Sequence, residues 1–162
     1  MAFEGSYLWQ LRQKIGTELV LVPAAQVLVF DDAERLLLML RSDTRRWGLP
    51  AGCAEPGSTF ALTAVRELEE ETGLSVAPAD LEPFGCVSSP ELHSVTYPNG
   101  DRIHAFAMCF AARTWSGVPE PRDGEALELS FFATLPEQRH TQVDESIGLW
   151  RAYKETGKFQ VS

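Results

Sequence analysis

The sequence predicts a mixed α/β domain, because strand-like segments lie on both sides of one central helix and further helices lie towards both ends. The chain has 162 residues, 44% of them hydrophobic and 23% charged, which is enough for one domain with a sizeable core. We expect an N-terminal helix within residues 1–18 that packs on the domain, a single domain at 19–155, and a C-terminal tail at 156–162.

The N-terminal part predicts a helix followed by strands. Apolar residues recur at helical spacing within 6–16, which indicates a short amphipathic helix ended by Gly16. Its apolar face would pack on the domain or form a homodimer contact. Pro23 interrupts the strand-like residues that follow, and Asp31-Asp32 indicates a turn into a further strand, so we expect a hairpin. The predicted strands are residues 19–22, 24–30 and 35–41.

Residues 52–74, reading GCAEPGSTFALTAVRELEEETGL, contain the central helix and a glycine-bearing loop before it. Ser58 can cap this helix through its hydroxyl, and Gly73 stands where a left-handed C-terminal cap is needed. The side of the helix that carries alanine, valine and leucine is predicted to pack against a sheet.

Three glutamates share another face of this helix, because Glu67, Glu70 and Glu71 stand at positions i, i+3 and i+4. Like charges at this spacing repel and raise one another's pKa, so a divalent cation would turn the repulsion into binding. Carboxylate oxygens suit hard ions such as Mg²⁺ or Mn²⁺ better than zinc. A solvated acidic face is the alternative interpretation.

The spacing of Gly52, position 58 and the R-E-L-x-E-E-x-G-L segment at 66–74 resembles the Nudix box. Every position of the box matches except Ser58, where the family normally has glutamate. The resemblance covers roughly residues 20–150. It implies an α/β/α sandwich with a mixed central sheet.

The same resemblance implies roles for individual residues of the box. Glu67, Glu70 and Glu71 would be metal ligands, and Gly52 would offer its backbone carbonyl to a metal. Arg66 would orient Glu67 through an ion pair. Because Ser58 replaces a supporting glutamate, we expect weaker metal binding or looser orientation of the ligands.

The resemblance also implies hydrolysis of a diphosphate linkage in a nucleoside diphosphate derivative or a nucleoside triphosphate. Metals held by the box would neutralise the phosphates and lower the pKa of a bound water. The base that takes the proton would be Glu67, Glu71 or Glu125, since many relatives carry a further glutamate just ahead of a late strand. Glu125 matches that position best, with Glu128 second, and a surface role is the alternative interpretation for either residue.

The C-terminal half predicts a hairpin that borders the site. Asn99-Gly100 is a strong hairpin signal, and the excursion at 88–102 is a candidate substrate lip in which Tyr97 would contact the substrate. The predicted elements are strands at 81–87, 103–114 and 125–132 and a closing helix at 147–154.

Three arginines lie between the first strands and the box. Arg46, next to Trp47, could meet substrate phosphates, and Trp47 could stack on a base or sugar. In the alternative interpretation the arginines are solvated and Trp47 belongs to the core. We predict a core position for Trp47 and retain Arg46 as a substrate-binding candidate.

Composition limits the partners. A net charge of −9 argues against binding to nucleic-acid polymers or anionic membranes, both of which require clustered lysine and arginine. Three widely spaced cysteines give neither a disulfide framework nor a thiolate zinc site, which indicates a reducing compartment. With neither a secretory leader nor a long apolar run, the sequence predicts a cytoplasmic protein that acts on a small nucleotide.

Two other classes of function remain open. Ser58 motivates a catalytically weak Nudix-like module that binds a nucleotide or ADP-ribose without turning it over. A cysteine hydrolase would use Cys53 with His93 or His104, since a loop before a helix N-terminus can lower a thiol pKa.

Overall fold

The computed structural model describes residues 4–97, 99–122 and 124–162. Nine strands and four helices follow one another along these residues, with a single 3-10 turn at Pro78–Asp80. The helices are α1 (Tyr7–Ile15), α2 (Phe60–Thr72), α3 (Pro90–His93) and α4 (Thr141–Thr156). The strands are β1 (Leu19–Val29), β2 (Leu36–Arg41), β3 (Trp47–Gly48), β4 (Ala51–Cys53), β5 (Leu81–Val87), β6 (Ser94–Thr96), β7 (Arg102–Ala112), β8 (Ala126–Phe132) and β9 (Gln160–Val161).

The larger sheet is mixed, as expected. Its strand order is β4-β1-β7-β5-β9, and β6 pairs with β7. Strands β1 and β7 run parallel over their whole length, from Leu19 opposite Arg102 to Val29 opposite Ala112, whereas β4 and β5 are antiparallel to their partners β1 and β7. A smaller sheet has the order β3-β2-β8.

The two faces of the larger sheet are covered by different helices. Side chains of β1 alternate, so that Leu28 packs in a core with Trp150 of α4, while Val27 packs in a second core with Leu68 of α2. The two cores lie on opposite sides of one sheet. This arrangement is the predicted α/β/α sandwich.

The N-terminal half confirms most predicted elements. Helix α1 begins after Ser6, whose hydroxyl accepts the Trp9 backbone N–H, and ends at Gly16. The predicted break at Pro23 was wrong, because β1 continues through it. The Pro23 carbonyl accepts the Ala54 N–H on the side of β4, so the missing proline N–H points to that side and leaves the pairing with β7 intact.

The predicted hairpin between the first strands was wrong beyond its turn. Asp31 forms that turn with Arg35, and one bridge joins Phe30 to Leu36. From Leu36 onwards the chain enters the smaller sheet, where β2 pairs with β8. The sequence pattern marked the turn correctly but carried no information about which sheet each strand joins.

The caps of α2 confirm one prediction and correct another. Gly73 adopts the left-handed conformation and ends the helix. The N-terminal cap is Thr59 rather than Ser58, since the Thr59 hydroxyl accepts the Leu62 backbone N–H. Ser58 donates to the Thr59 carbonyl and accepts the Thr63 hydroxyl instead.

The C-terminal half is more regular than its sequence indicates. Strand β5 has the predicted bounds, β6 and β7 form the predicted hairpin, and Pro98 in its turn lies outside the described residues. Helix α4 begins six residues before the predicted closing helix at 147–154. The segment after α4 adds β9, which runs parallel to β5. Among the described residues, no helix combines the length and apolar character needed to cross a membrane.

Candidate active site

The loop before α2 and the helix itself meet at Gly52. This residue pairs with Ala25 at the edge of the larger sheet, and the Glu67 carboxylate lies directly against its α-carbon. A β-carbon at position 52 would stand 2.0 Å from the carboxyl carbon of Glu67. Only glycine therefore leaves space for this carboxylate beside the backbone of β4.

Arg66 holds the Glu67 carboxylate in this position. Its guanidinium lies 2.6 Å from Glu67 Oε1 and donates a hydrogen bond to the Cys53 carbonyl at 2.8 Å. Burial raises the pKa of Glu67 to about 7, although the Arg66 charge opposes the rise. A buried carboxylate whose proton affinity is raised in this way gains from a second cation.

Glu71 is buried still more deeply, at 2% exposure. One of its carboxylate oxygens accepts the Ala51 backbone N–H at 2.9 Å, which ties α2 to the loop. Burial raises the Glu71 pKa well above its usual range, and the nearby Glu67 and Glu125 charges add to the rise. Glu67 and Glu71 thus stand one turn of helix apart, both turned to the loop at 51–53.

Glu70 behaves differently, although helical spacing placed it on the same face. Its carboxylate forms an ion pair with Arg66 at 2.8 Å, and half of its side chain is exposed. It lies in a surface depression with Glu69 and Arg122, not in the cleft that contains Gly52. The structure therefore buries Glu67 and Glu71 against the loop, whereas Glu70 stays half exposed and is linked to Glu67 through Arg66.

Glu125 and Arg41 flank the buried pair. The guanidinium of Arg41 lies 3.3 Å from Glu125 and 3.1 Å from Asp43. Burial works against the charge of Arg41, but Asp43 and Glu125 hold its pKa above the usual value. Burial is the main cause of the raised pKa of Glu67 and Glu71, and the Glu125 charge adds to it, whereas Glu128 is exposed on β8.

The residues fit a divalent cation by their chemistry. Residues 4–97, 99–122 and 124–162 contain no group of three His, Cys, Asp or Glu side chains already close enough to hold an ion. Two buried carboxylates with a raised pKa, a third carboxylate within electrostatic range and the space left by Gly52 nevertheless form a set of oxygen donors that suits Mg²⁺ or Mn²⁺.

A cleft of about 270 Å³ adjoins these carboxylates. Tyr97 lines it, as the lip prediction requires, and burial raises the Tyr97 pKa to about 12.

Arg46 does not line this cleft, because its guanidinium donates to the Arg139 carbonyl at 2.6 Å. Arg41 is the arginine that reaches this cleft. The other polar side chains in its lining include Gln26, His93, His140 and Gln142, none of which the sequence marked as substrate-binding.

Trp47 packs edge-on against Phe132 with the ring centroids 4.7 Å apart, which confirms its predicted place at the core.

The alternative centred on Cys53 receives no support from the geometry. Burial raises the Cys53 pKa to about 11, and the Glu67 charge adds to the rise. His93 is hydrogen-bonded to Glu145 and His104 to the Ser88 carbonyl. A thiol with a raised pKa and no histidine partner among the described residues lacks the activation that a nucleophile requires.

The family model described as NUDIX domain matches residues 20–147, well over half of the chain. The chain belongs to the NUDIX family. The match contains the Gly52 loop, α2 and Glu125, which are the parts that build the carboxylate site.

Curated relatives align over short segments of this NUDIX protein. A putative 8-oxo-dGTP diphosphatase of Bacillus subtilis (strain 168) is 42% identical over 53 residues, covering 33% of this chain and 36% of that protein. A CMP-5'-(N-acetyl-N-hydroxy-3-aminopropyl)phosphonate hydrolase of Streptomyces rubellomurinus is 44% identical over 54 residues, covering 31% of this chain and 26% of that protein. The chain thus matches about a third or a quarter of the length of these relatives.

Solved structures of several proteins share the fold over most of the chain. A MutT NUDIX hydrolase from Burkholderia pseudomallei has a TM-score of 0.60 and 24% identity, covering 80% of this chain and 98% of that one. A UDP-X diphosphatase has a TM-score of 0.67 and 18% identity, covering 99% and 76%. A bifunctional NMN adenylyltransferase/ADP ribose pyrophosphatase from Francisella tularensis, complexed with AMP and an Mn ion, has a TM-score of 0.61 and 19% identity, covering 88% and 44%.

Proposed function

We propose that this protein is a metal-dependent pyrophosphohydrolase that cleaves a diphosphate linkage in a nucleoside diphosphate derivative or a nucleoside triphosphate. The observation that carries the proposal is the pair of buried carboxylates, Glu67 and Glu71, held against the Gly52 loop at the edge of a cleft. Membership of the NUDIX family and relatives described as diphosphatases support it.

Glu67 and Glu71 are the proposed principal ligands of Mg²⁺ or Mn²⁺, together with the Gly52 carbonyl. Glu125 and Glu70 are the proposed more distant carboxylates of the metal site. A cation bound here would neutralise the phosphates and lower the pKa of a water nucleophile. The manganese ion in the Francisella relative supports this choice of metal.

Other proposed roles are the general base, the phosphate contact and the contact on the substrate lip. Glu67 is the proposed base, because Arg66 orients it and it is more exposed, at 8%, than Glu71 at 2%. Arg41 is the proposed phosphate contact in place of Arg46, since it lines the cleft and forms an ion pair with Asp43. Tyr97 is the proposed contact on the lip.

A substrate panel tests the proposal. Nucleoside triphosphates and nucleoside diphosphates linked to sugars, ribose or a second nucleoside are incubated with Mg²⁺ or Mn²⁺ in ¹⁸O-labelled water. Mass spectrometry then shows which product carries the label and so which phosphorus was attacked. Glu71→Gln is the control for a contaminating activity. We expect cleavage of at least one diphosphate linkage that depends on both the metal and Glu71.

Tight binding without turnover would instead support the weak-binding module that Ser58 motivated. The Ser58 hydroxyl is engaged with Thr63 and Thr59 rather than with the carboxylate pair. Restoring the family residue with Ser58→Glu separates the two possibilities. A rise in metal affinity together with new turnover would show that the parent protein is limited by position 58.

A further inference from the structure

Two buried polar side chains stand in the wall of the cleft, away from the carboxylates. Gln26 on β1 is 6% exposed and His93 at the end of α3 is 7% exposed. Both line the same cleft as Gly52 and Tyr97. Buried polar groups cost free energy unless their hydrogen bonds are satisfied, so the partners of these two side chains are informative.

The orientation of the Gln26 amide follows from its partners. Its nitrogen lies 2.8 Å from Ser146 Oγ and 3.0 Å from Cys109 Sγ. The Ser146 hydroxyl donates its only hydrogen to the Gln142 carbonyl, so towards Gln26 it can only accept. The amide nitrogen must therefore face Ser146, and both of its hydrogens are used. Oε1 remains, and no described residue donates to it.

The His93 ring is fixed in a similar way. Its Nε2 lies 2.6 Å from Glu145, a residue of α4 that does not line the cleft. The second carboxylate oxygen of Glu145 accepts the Ser162 hydroxyl at 2.7 Å. Because a carboxylate accepts, Nε2 carries a hydrogen, so in the neutral form of the ring Nδ1 is an acceptor. The described residues provide no donor for Nδ1.

We propose that this part of the cleft recognises a nucleobase that carries an amino group, namely adenine, cytosine or guanine. Gln26 Oε1 and His93 Nδ1 are two acceptors in one wall, which calls for N–H donors on the ligand. An exocyclic amine supplies them, whereas thymine and uracil present mainly carbonyl acceptors. The proposal rests on the proposed function only in taking the ligand to be a nucleotide.

The rest of the lining suits a flat ring. Val95, Ile103 and Ala105 provide an apolar surface beside the two polar groups. The volume of about 270 Å³ lies just below the usual range for drug-sized ligands, so the cleft holds one ring system rather than a whole dinucleotide. A site with a few placed polar groups in an apolar wall is the usual design for orienting a small ligand.

Binding of nucleoside monophosphates tests the proposal without any turnover. Titrations of AMP, CMP, GMP, UMP and TMP are followed by isothermal calorimetry in EDTA. We expect the three amino-bearing bases to bind at least about tenfold more tightly than UMP and TMP, because the latter leave a buried acceptor without a partner. Affinities of all five within about threefold of one another, or no binding of any, would overturn the proposal.

Variants locate the preference. Gln26→Met and His93→Phe should each weaken AMP binding about tenfold while UMP binding changes less than about twofold. Gln10→Met on the exposed face of α1 and His104→Phe outside the cleft are the matched controls and should keep the parent's preference. If Gln26→Met does not fold, His93→Phe decides alone. An unchanged preference in the folded variants would contradict the assignment.

The outcome is independent of the hydrolysis experiment. A protein that prefers amino-bearing bases but cleaves no diphosphate would keep this inference and remove the proposed function. A protein that cleaves diphosphates without regard to the base would do the reverse.

Discussion

The Gly52 loop with α2 and the β6–β7 hairpin both border the cleft, but they are held in place by contacts of different range. Glu67 lies against Gly52, Arg66 donates to Cys53, and Glu71 accepts from Ala51, so each of these three contacts joins residues at most 20 positions apart. The hairpin contacts α1 through a hydrogen bond from the Arg12 guanidinium to the Arg102 carbonyl, which joins residues 90 positions apart. We call the Gly52 loop with α2 the floor of the cleft and the β6–β7 hairpin its lip. The contacts within the floor join residues that are near in sequence, whereas the lip depends on contacts between distant parts of the chain.

Arg12 makes the long-range connection. This buried residue of α1 donates to the Arg102 carbonyl and lies 3.6 Å from Asp101, whose own carbonyl accepts the Tyr97 N–H at 2.8 Å. Its Nε has no hydrogen-bond partner among the described residues. The lip residue Tyr97 is thus positioned through Arg12, and a change in α1 should alter substrate contact without touching the carboxylates.

The largest effect is expected at the floor. Glu71→Gln should reduce kcat by about a hundredfold or more, because it removes a charged ligand from the proposed metal site. Glu70→Gln should cost about tenfold or less, since Glu70 is exposed and paired with Arg66. Steady-state kinetics with Mg²⁺ measures both. Equal losses in the two variants would contradict the division between inner and outer carboxylates.

A smaller loss is expected when the space beside Glu67 is filled. Gly52→Ala places a β-carbon 2.0 Å from the Glu67 carboxyl carbon, so the carboxylate must move. Displacement by about 1 Å can cost roughly a hundredfold in rate, and we expect a fall of ten- to a hundredfold. Gly148→Ala in α4 is the control, because its β-carbon meets no atom within 4 Å. Full activity in Gly52→Ala would disprove a tightly placed Glu67.

A change at the lip should act on KM instead. Arg12→Met releases the hairpin from α1, so we expect KM to rise about fivefold while kcat stays within about twofold, the sign of lost uniform binding. Hydrogen exchange of residues 94–104 should accelerate in the same variant, and Arg12→Lys should recover part of the protection. A kcat loss as large as that of Glu71→Gln would show that floor and lip are not separable.

This contrast explains what the sequence could predict. Gly52, Arg66, Glu67 and Glu71 belong to one short motif, and their mutual contacts follow from a loop and a helix that are adjacent in the chain. Gln26 and His93 line one cleft only through the register of β1 and β7 and the packing of α3, which periodicity does not reveal.

Glu70 shows a second limit of sequence reasoning. Helical spacing gave it the correct face of α2, but half of its side chain is exposed and its carboxylate pairs with Arg66 rather than lying against the loop. Arg46 and Arg41 are similarly indistinguishable by composition. Asp43 and Glu125 hold Arg41 at the cleft, and the Arg139 carbonyl holds Arg46 away from it.

The buried carboxylate of Glu71 should also make the stability of the protein depend on pH. The Glu71 pKa is raised on folding above its ordinary value of 4.5, so the folded protein binds more protons than the unfolded chain above that pH. The contribution of Glu71 to stability is then greatest below pH 4.5 and falls as the pH rises towards the folded pKa. In EDTA, Glu71→Gln should raise Tm at pH 8 by a few degrees relative to the parent, with a smaller difference at pH 5. A lower Tm at pH 8 would mean that the charge is compensated without metal.

The smallest effect is expected at Cys53, where floor and lip meet in the lining of the cleft. Burial raises the Cys53 pKa to about 11, so at pH 7.5 the side chain is a thiol and a poor nucleophile. Arg66 bonds to the backbone carbonyl of Cys53, which alanine retains. Cys53→Ala should therefore keep kcat/KM within about twofold, and iodoacetamide should label the parent slowly at pH 7.5. A loss approaching that of Glu71→Gln would transfer the chemistry from the carboxylates to the thiol.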